Sequence, residues 1–396
     1  MELDLIFSSG TLGDVVPFGA IAIALLFTVR NHSGTSTGTS TSNLVYTDPI
    51  FFLQVCAGII RQIAQPTSKV DSKENLTTPL LPEEPTHFIR IISERDAEHE
   101  SFLSELMEGL KNYPPELCAE GTNGTYFLRD ASGDVKAVFK PTDEEGDSPN
   151  NPKEHARDVD RGIRQGEAAI REVIAYRLDQ RMDNIFRVPP TLLVNIAHPN
   201  FVDEQGKPKT KTGSLQYFVQ SQGCASDIGP RSFPTEEVHR VAALDMMIYN
   251  TDRHDGNILY NREEGLTLTP IDHGFSLPEK FGAAWFDWMY YPQASTTFTP
   301  HLASKISSFD VHQFARDISQ EFDVREECLM TMILSTMILQ TGVEMGKTPK
   351  QLAQFLSRGR PHEMSPVEVM MSEVEDMDGD FMCNVREKLA HKLSGL

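Results

Sequence analysis

The chain is short of cysteine, short of basic charge relative to acid, and holds two tryptophans in 396 residues. Its five cysteines, Cys56, Cys118, Cys224, Cys328 and Cys383, stand far apart. No pair has metal-ligand spacing, and an odd, scattered set suits reduced thiols in a cytosolic compartment rather than a disulfide framework. Lys and Arg number 36 against 57 Asp and Glu, a formal net charge of −21. A general nucleic-acid binder needs a basic footprint, so that class is excluded. Anionic lipid would repel most of this surface, so charge alone does not bring the chain to a membrane. A long uninterrupted apolar run is also lacking. Val15–Val29 (VVPFGAIAIALLFTV) is short for a spanning helix, contains Pro17, and follows Glu2 and Asp4 instead of positive residues. Those flanks disfavour a cleaved signal peptide. An anchor or interfacial segment and a poorly ordered or locally packed tail both stay open, and Arg30 and His32 suit an anchor with a cytosolic body.

What is present divides unevenly. Residues 1–85 combine two apolar runs (Val15–Val29 and Ile50–Ile60), a Ser/Thr/Gly spacer at 31–43, and a polar, proline-rich linker at Lys69–Pro85. At 396 residues and 39% hydrophobic, the chain can bury a large core in two lobes, which fall in 86–396. A helix is predicted after Ser93, with Ala97, Phe102, Leu103, Leu106, Met107 and Leu110 at helical spacing, stopped by Pro114-Pro115. Gly121-Thr122-Asn123-Gly124-Thr125-Tyr126-Phe127-Leu128 and Val135–Lys140 read as a hairpin that opens on a glycine turn and closes on a lysine. Small residues at such a turn let backbone N–H groups approach phosphate oxygens, and Lys140 can reach the same phosphates. Asp143–Arg164 reads as an exposed loop. The helix from Gly166 carries two acids that could pair Lys140. Glu172, flanked by residues expected to be buried, is favoured over Glu167, which helix-dipole complementation already explains.

Tyr249–Leu277 organises the rest. Asp252 is followed five positions later by Asn257, and a predicted hairpin (Ile258–Tyr260, Leu266–Ile271) then delivers Asp272 in Asp272-His273-Gly274. Phosphoryl transfer uses these parts: an Asp facing the attacking hydroxyl, and an Asn and a second Asp on magnesium. The alternative is a surface hairpin with solvated acids. Downstream, Phe281–Pro292 (FGAAWFDWMYYP) holds both tryptophans, Trp285 and Trp288. Such a cluster packs as core, or sits at a membrane interface or against substrate. Phe309–Phe322, Arg325–Gly342 and Phe381–Leu393 read as helices, and Glu373–Asp380 as an acidic linker. Gly346-Lys347-Thr348 ends like a P-loop, but Thr341 stands where the first glycine is needed, so that reading is rejected.

Taken together, GTNGTYF, AVFKPTDEE with NNP beyond it, GEAAIREVIAY, GSLQYFV, FPTEEVHRVAALDMMIYNTDRHDGNIL, PIDHGFSLPE and FDWMYYPQA resemble the phosphatidylinositol 3-/4-kinase superfamily. The resemblance runs from about Pro115 to Leu393 and is nearest to the plant gamma-class and type II phosphatidylinositol 4-kinases. It implies an α+β, bilobal, protein-kinase-like fold, with a smaller β-rich N-lobe (about 86–220) and a larger helical C-lobe (about 221–396). It implies ATP and Mg²⁺ as cosubstrates and phosphatidylinositol in membranes as substrate. Gly121–Phe127 and Lys140 would hold ATP phosphate, with Glu172 on the lysine. Gln216, Tyr217, Phe218 and Val219 would line the adenine pocket. Asp252 and His254 would act at the transferred phosphate, and Asn257 and Asp272 on the metal. Trp285 and Trp288 would form a membrane or substrate patch on a cytoplasmic, peripherally attached protein. The ubiquitin-like domains of some gamma-class members and the palmitoylated cysteine run of type II enzymes have no counterpart here. A Ser/Thr protein kinase on the same fold, the gamma class having been linked to protein phosphorylation, and a catalytically silent scaffold are the competing readings.

Overall fold

A computed structural model describes residues 87–396, apart from 93–96, 147, 154–161, 204, 264 and 361. The apolar runs before residue 86, the linker and the expected Ser93 cap lie outside the described residues.

The first lobe is a six-stranded antiparallel sheet in the order β1-β5-β6-β4-β3-β2. Its strands are β1 (Phe88–Ile91), β2 (Glu116–Leu117), β3 (Tyr126–Arg129), β4 (Val135–Pro141), β5 (Thr191–Ala197) and β6 (Lys211–Tyr217). Helix α1 (Ala97–Leu110) covers one face, burying Leu103, Leu106 and Leu110 against Leu128, Phe139 and Leu215. Alternation along β4 then decides where its lysine points. Ala137 and Phe139 are fully buried toward α1, so Lys140 projects from the opposite face.

Helix α2 (Ala168–Arg181) follows, and its Val173, Ile174, Ala175 and Leu178 join the larger core of the second lobe. The centre of that core is α3 (Thr235–Met247), apolar on nearly every side and therefore enclosed. Around it stand α4 (Pro300–Ser308), α5 (Val311–Glu321), α6 (Glu326–Glu344), α7 (Pro349–Leu356), α8 (Pro366–Glu375) and α9 (Phe381–Ser394). A small sheet, β7 (Gly223–Cys224), β8 (Ile258–Asn261) and β9 (Thr267–Pro270), carries the acidic hairpin. The architecture is the α+β bilobal, kinase-like fold.

One local reading changes. Glu373 and Glu375, expected in an acidic linker, belong to α8. Helices α4, α7 and α8 each start on a proline at the first turn after Thr299, Thr348 or Ser365, where its fixed φ fits and no hydrogen bond is lost. Thr348 and Ser365 complete capping boxes with Gln351 and Glu368, so the GKT sequence ends as a helix cap.

Candidate active site

The acidic hairpin is held by one buried guanidinium. Arg253 is fully buried, and its Nε donates to both Asp245 carboxylate oxygens at 3.0 Å. Its Nη1 donates to the carbonyls of Asn257 (2.6 Å) and Ile271 (2.5 Å), and its Nη2 bonds His273 Nδ1 at 3.0 Å. One side chain thus ties the Asp252–Asn257 turn to the strand that delivers Asp272. Asp245 also accepts from Trp288 Nε1 at 2.9 Å and Asn250 Nδ2 at 3.2 Å. Burial pushes the Asp245 carboxyl up, and Arg253 is the main opposing influence. Burial and the neighbouring Arg253 charge drive His273 well below the ordinary histidine range, so its ring is neutral.

Lys140 meets the hairpin from above. Its ammonium pairs with Glu172 and lies 3.0 Å from Asp272 Oδ1. Glu172, buried in α2, uses its second oxygen to accept from His273 N–H at 2.9 Å. Burial works to raise the Asp272 carboxyl, but Lys140 outweighs it and holds it at about 2. The same two carboxylates overcome burial and raise the Lys140 ammonium, which stays charged. Asp272 is a non-glycine residue at φ 57°, a left-handed turn that aims its carboxylate into the cleft. Gly274 follows because α2 passes close by: a Cβ there would stand 3.1 Å from that of Ala168. Asn123, Gly124, Lys140, Glu145, Glu172 and Asp272 line one small cavity. Asp252 lines a larger, open one of about 1360 Å³, whose lining combines apolar residues (Phe281, Trp285, Met330, Leu334, Met364 and Met371) with charged ones such as Lys280, Glu326 and Arg358. Asn257 Nδ2 lies 3.5 Å from the Asp252 carbonyl, and the Asn257 carbonyl accepts from Ile271 N–H at 3.0 Å.

The other predicted residues fall as follows. Gly121, Thr122, Asn123, Gly124 and Thr125 form the connection between β2 and β3, at the opening of the β3–β4 hairpin as expected, and Tyr126 and Phe127 begin β3. Glu167 is taken by Arg171 (2.9 Å) and Arg325 (2.7 Å), leaving Glu172 to Lys140. Phe218 meets Phe127 edge-on at 6.0 Å, its N–H bonds the Lys136 carbonyl at 2.8 Å, and Val219 follows it. The side chains of Gln216 and Tyr217 are engaged elsewhere. Gln216 Nε2 bonds Thr191 Oγ1 at 3.0 Å, and Tyr217 stacks on Phe102 of α1 at 3.6 Å. Strand alternation is the cause, since Tyr217 shares the α1-facing side with Leu215. His254 is exposed, with Nδ1 accepting from Gly256 N–H at 3.1 Å. The tryptophans separate. Trp285 is 51% exposed beside Tyr290 at 65%, whereas Trp288 is fully buried on Asp245 and is removed from the surface patch.

Asp245, Arg253 and Glu145 were not among the residues expected to matter. An acid inside the apolar run AALDMM was the readable sign for Asp245, because an acid is buried in such a face only with a partner. Nothing in the sequence marks Glu145. Its Oε2 accepts from Gly166 N–H at 2.7 Å, and its Oε1 is buried without a partner. Burial pushes this carboxyl up to about 7 against the pull of the Gly166, Ala169 and Ala168 amides and Arg171. The folded state therefore keeps a proton that the unfolded chain releases above its ordinary 4.5. This contribution disfavours folding increasingly as pH rises from 4.5 to 7, then levels off. Thermal melts of Glu145→Gln against the parent protein are expected to diverge by about 2 kcal/mol between pH 5 and pH 8, the variant gaining. A constant difference across that range would contradict it.

Residues 121–349 match the family described as "Phosphatidylinositol 3- and 4-kinase". "Phosphatidylinositol 4-kinase gamma 4" of Oryza sativa subsp. japonica is 40% identical over 291 residues, covering 68% of this chain and 50% of that protein. "Phosphatidylinositol 4-kinase gamma 2" of Arabidopsis thaliana is 38% identical over 305 residues, covering 70% of this chain and 55% of its own length. The chain thus spans about half the length of these relatives. The matched residues contain the glycine turn, Lys140, Glu172, the Asp245–Arg253 pair and the acidic hairpin, and the chain belongs to the phosphatidylinositol 3- and 4-kinase family.

Proposed function

We propose that this chain is an ATP- and Mg²⁺-dependent phosphatidylinositol 4-kinase that moves the γ-phosphate of ATP to the 4-hydroxyl of the inositol ring. The observation that carries the reading is the Lys140 ammonium shared by Glu172 and Asp272 next to Gly124, with Asp252 lining the larger cavity. Lys140 takes a phosphate oxygen, and Glu172 keeps the ammonium in place. Asp252 faces the larger cavity, where it orients the attacking hydroxyl and accepts its proton. Asp272 and Asn257 offer hard oxygen donors, the set Mg²⁺ prefers. Among the described residues no cluster of three or more His, Cys, Asp or Glu could hold a metal by itself. With nucleotide bound, Asp272 and Asn257 would share such an ion with the phosphates, whose charge it would neutralise.

The apolar residues lining the Asp252 cavity and the exposed Trp285–Tyr290 pair at its edge support a lipid substrate at a membrane surface. Among the described residues no helix is long and apolar enough to cross a membrane. Purified protein given labelled ATP and phosphatidylinositol vesicles, or protein substrates, is expected to label the lipid at the 4-position. Label appearing in protein alone would replace the reading with a protein kinase, and no Mg²⁺-dependent ATP binding would leave a silent scaffold. Trp285→Ala is expected to raise KM for vesicular lipid about tenfold, the worth of one aromatic side chain taken from water. KM for ATP should not move; an unchanged lipid KM would exclude Trp285 from the lipid-facing surface.

A further inference from the structure

The glycine turn is pinned from outside by residues of the following loop. Gly124 N–H donates to the Glu144 carbonyl at 2.8 Å, and Gly146 N–H donates to Asn123 Oδ1 at 2.7 Å. Asn151 closes the arrangement. It is 9% exposed, and its Nδ2 donates to the carbonyls of Thr122 (2.9 Å) and Gly146 (2.7 Å) while its Oδ1 accepts from Lys153 N–H at 3.0 Å. Lys153 Nζ reaches back to the Gly121 carbonyl at 3.1 Å. The brace is itself anchored on the sheet. Lys211, 1% exposed on β6, lies 2.9 Å from Asp143 and 3.0 Å from Glu144, and Tyr126 Oη donates to Glu144 at 2.8 Å. There is no slack at Gly124, where a Cβ would fall 2.1 Å from Glu144 Oε2.

A glycine turn left free must be ordered each time a phosphate binds, whereas one held in place avoids that entropic cost. We infer that Asn151 is a positioning residue for the nucleotide: it sets the glycine turn over Lys140 by bonding Thr122 and Gly146, without touching the phosphates itself. The inference rests on reading this site as an ATP site. It makes the loop carrying Asn151 part of the binding apparatus, although the chain there reads as exposed connection.

The test compares Asn151→Ala and Asn151→Asp with the parent protein. Asp keeps the shape and one acceptor but offers no donors. Binding of a fluorescent ATP analogue with Mg²⁺ is expected to weaken about tenfold in both, the worth of two hydrogen bonds. KM for ATP should rise with it, kcat should stay within about threefold, and KM for phosphatidylinositol should not move. Amide exchange should accelerate at Gly124 while β3 and β4 keep their protection. Parent-like affinity and parent-like exchange at Gly124 in Asn151→Asp would overturn the inference. So would a loss spread over the whole sheet with a lowered melting temperature, which marks a merely structural residue. A parent protein that binds no nucleotide brings down the ATP reading, and the inference with it, in the first measurement.

Discussion

Asp252→Asn is expected to lower kcat by about 10²–10⁴-fold, the usual worth of a positioned general base, with little change in melting temperature. Asp252 sits outside the buried hub. Its backbone N–H donates to Asn250 Oδ1 at 3.0 Å, and the residue lines the large cavity. Asn preserves the volume and the turn but cannot take the hydroxyl proton. Lys140 and Asp272, the residues proposed to meet the nucleotide, are unchanged, so KM for ATP should stay near the parent value while kcat and kcat/KM fall together. Steady-state rates with lipid vesicles, alongside a thermal melt, check this. A variant working within about threefold of the parent rate would mean that another group handles the hydroxyl.

Arg253→Met should cost both stability and rate. It strands a buried carboxylate at Asp245, removes the donor from the Asn257 and Ile271 carbonyls, and leaves His273 Nδ1 without its bond. Breaking a buried ion pair from one side costs about 3–5 kcal/mol, a large part of what holds an ordinary domain together. The rate should fall as well, because the carbonyls Arg253 grips belong to Asn257 and to the residue before Asp272. A second variant separates the two effects. Asp245→Leu with Arg253→Met removes both charges, and such double replacements recover much of the stability. Chemical denaturation should show that recovery while activity stays low, since the Asn257 and Ile271 carbonyls then lose the donor they share. Recovery of activity along with stability would show that the pair serves the fold alone.

How much of this was legible in the chain follows the range of each interaction. Asp252, Asn257 and Asp272 lie within one hairpin, and the turn and strand pattern between them is local, so their grouping can be read directly. Glu172 could be preferred to Glu167 because its neighbours are apolar, and helical periodicity marked α1, α2 and α6. Helices α4, α7 and α8 were less visible, because a proline after Ser or Thr serves equally as a loop residue or a helix start.

Spacing by itself picked out Asp252, Asn257 and Asp272 on one hairpin and Lys140 with Glu172, and the acidic composition argued against nucleic acid. Tertiary packing alone decided that Trp288 goes inward to Asp245 while Trp285 stays out, that Tyr217 turns toward α1, and that Arg253 joins two segments. It also brought Glu172 to His273 and Asn151 to Thr122. Each of these depends on which face of an element meets a partner distant in sequence, and a side chain's partner is chosen by burial and hydrogen-bond satisfaction in three dimensions. Local pattern records only how a residue is spaced from its neighbours along the chain.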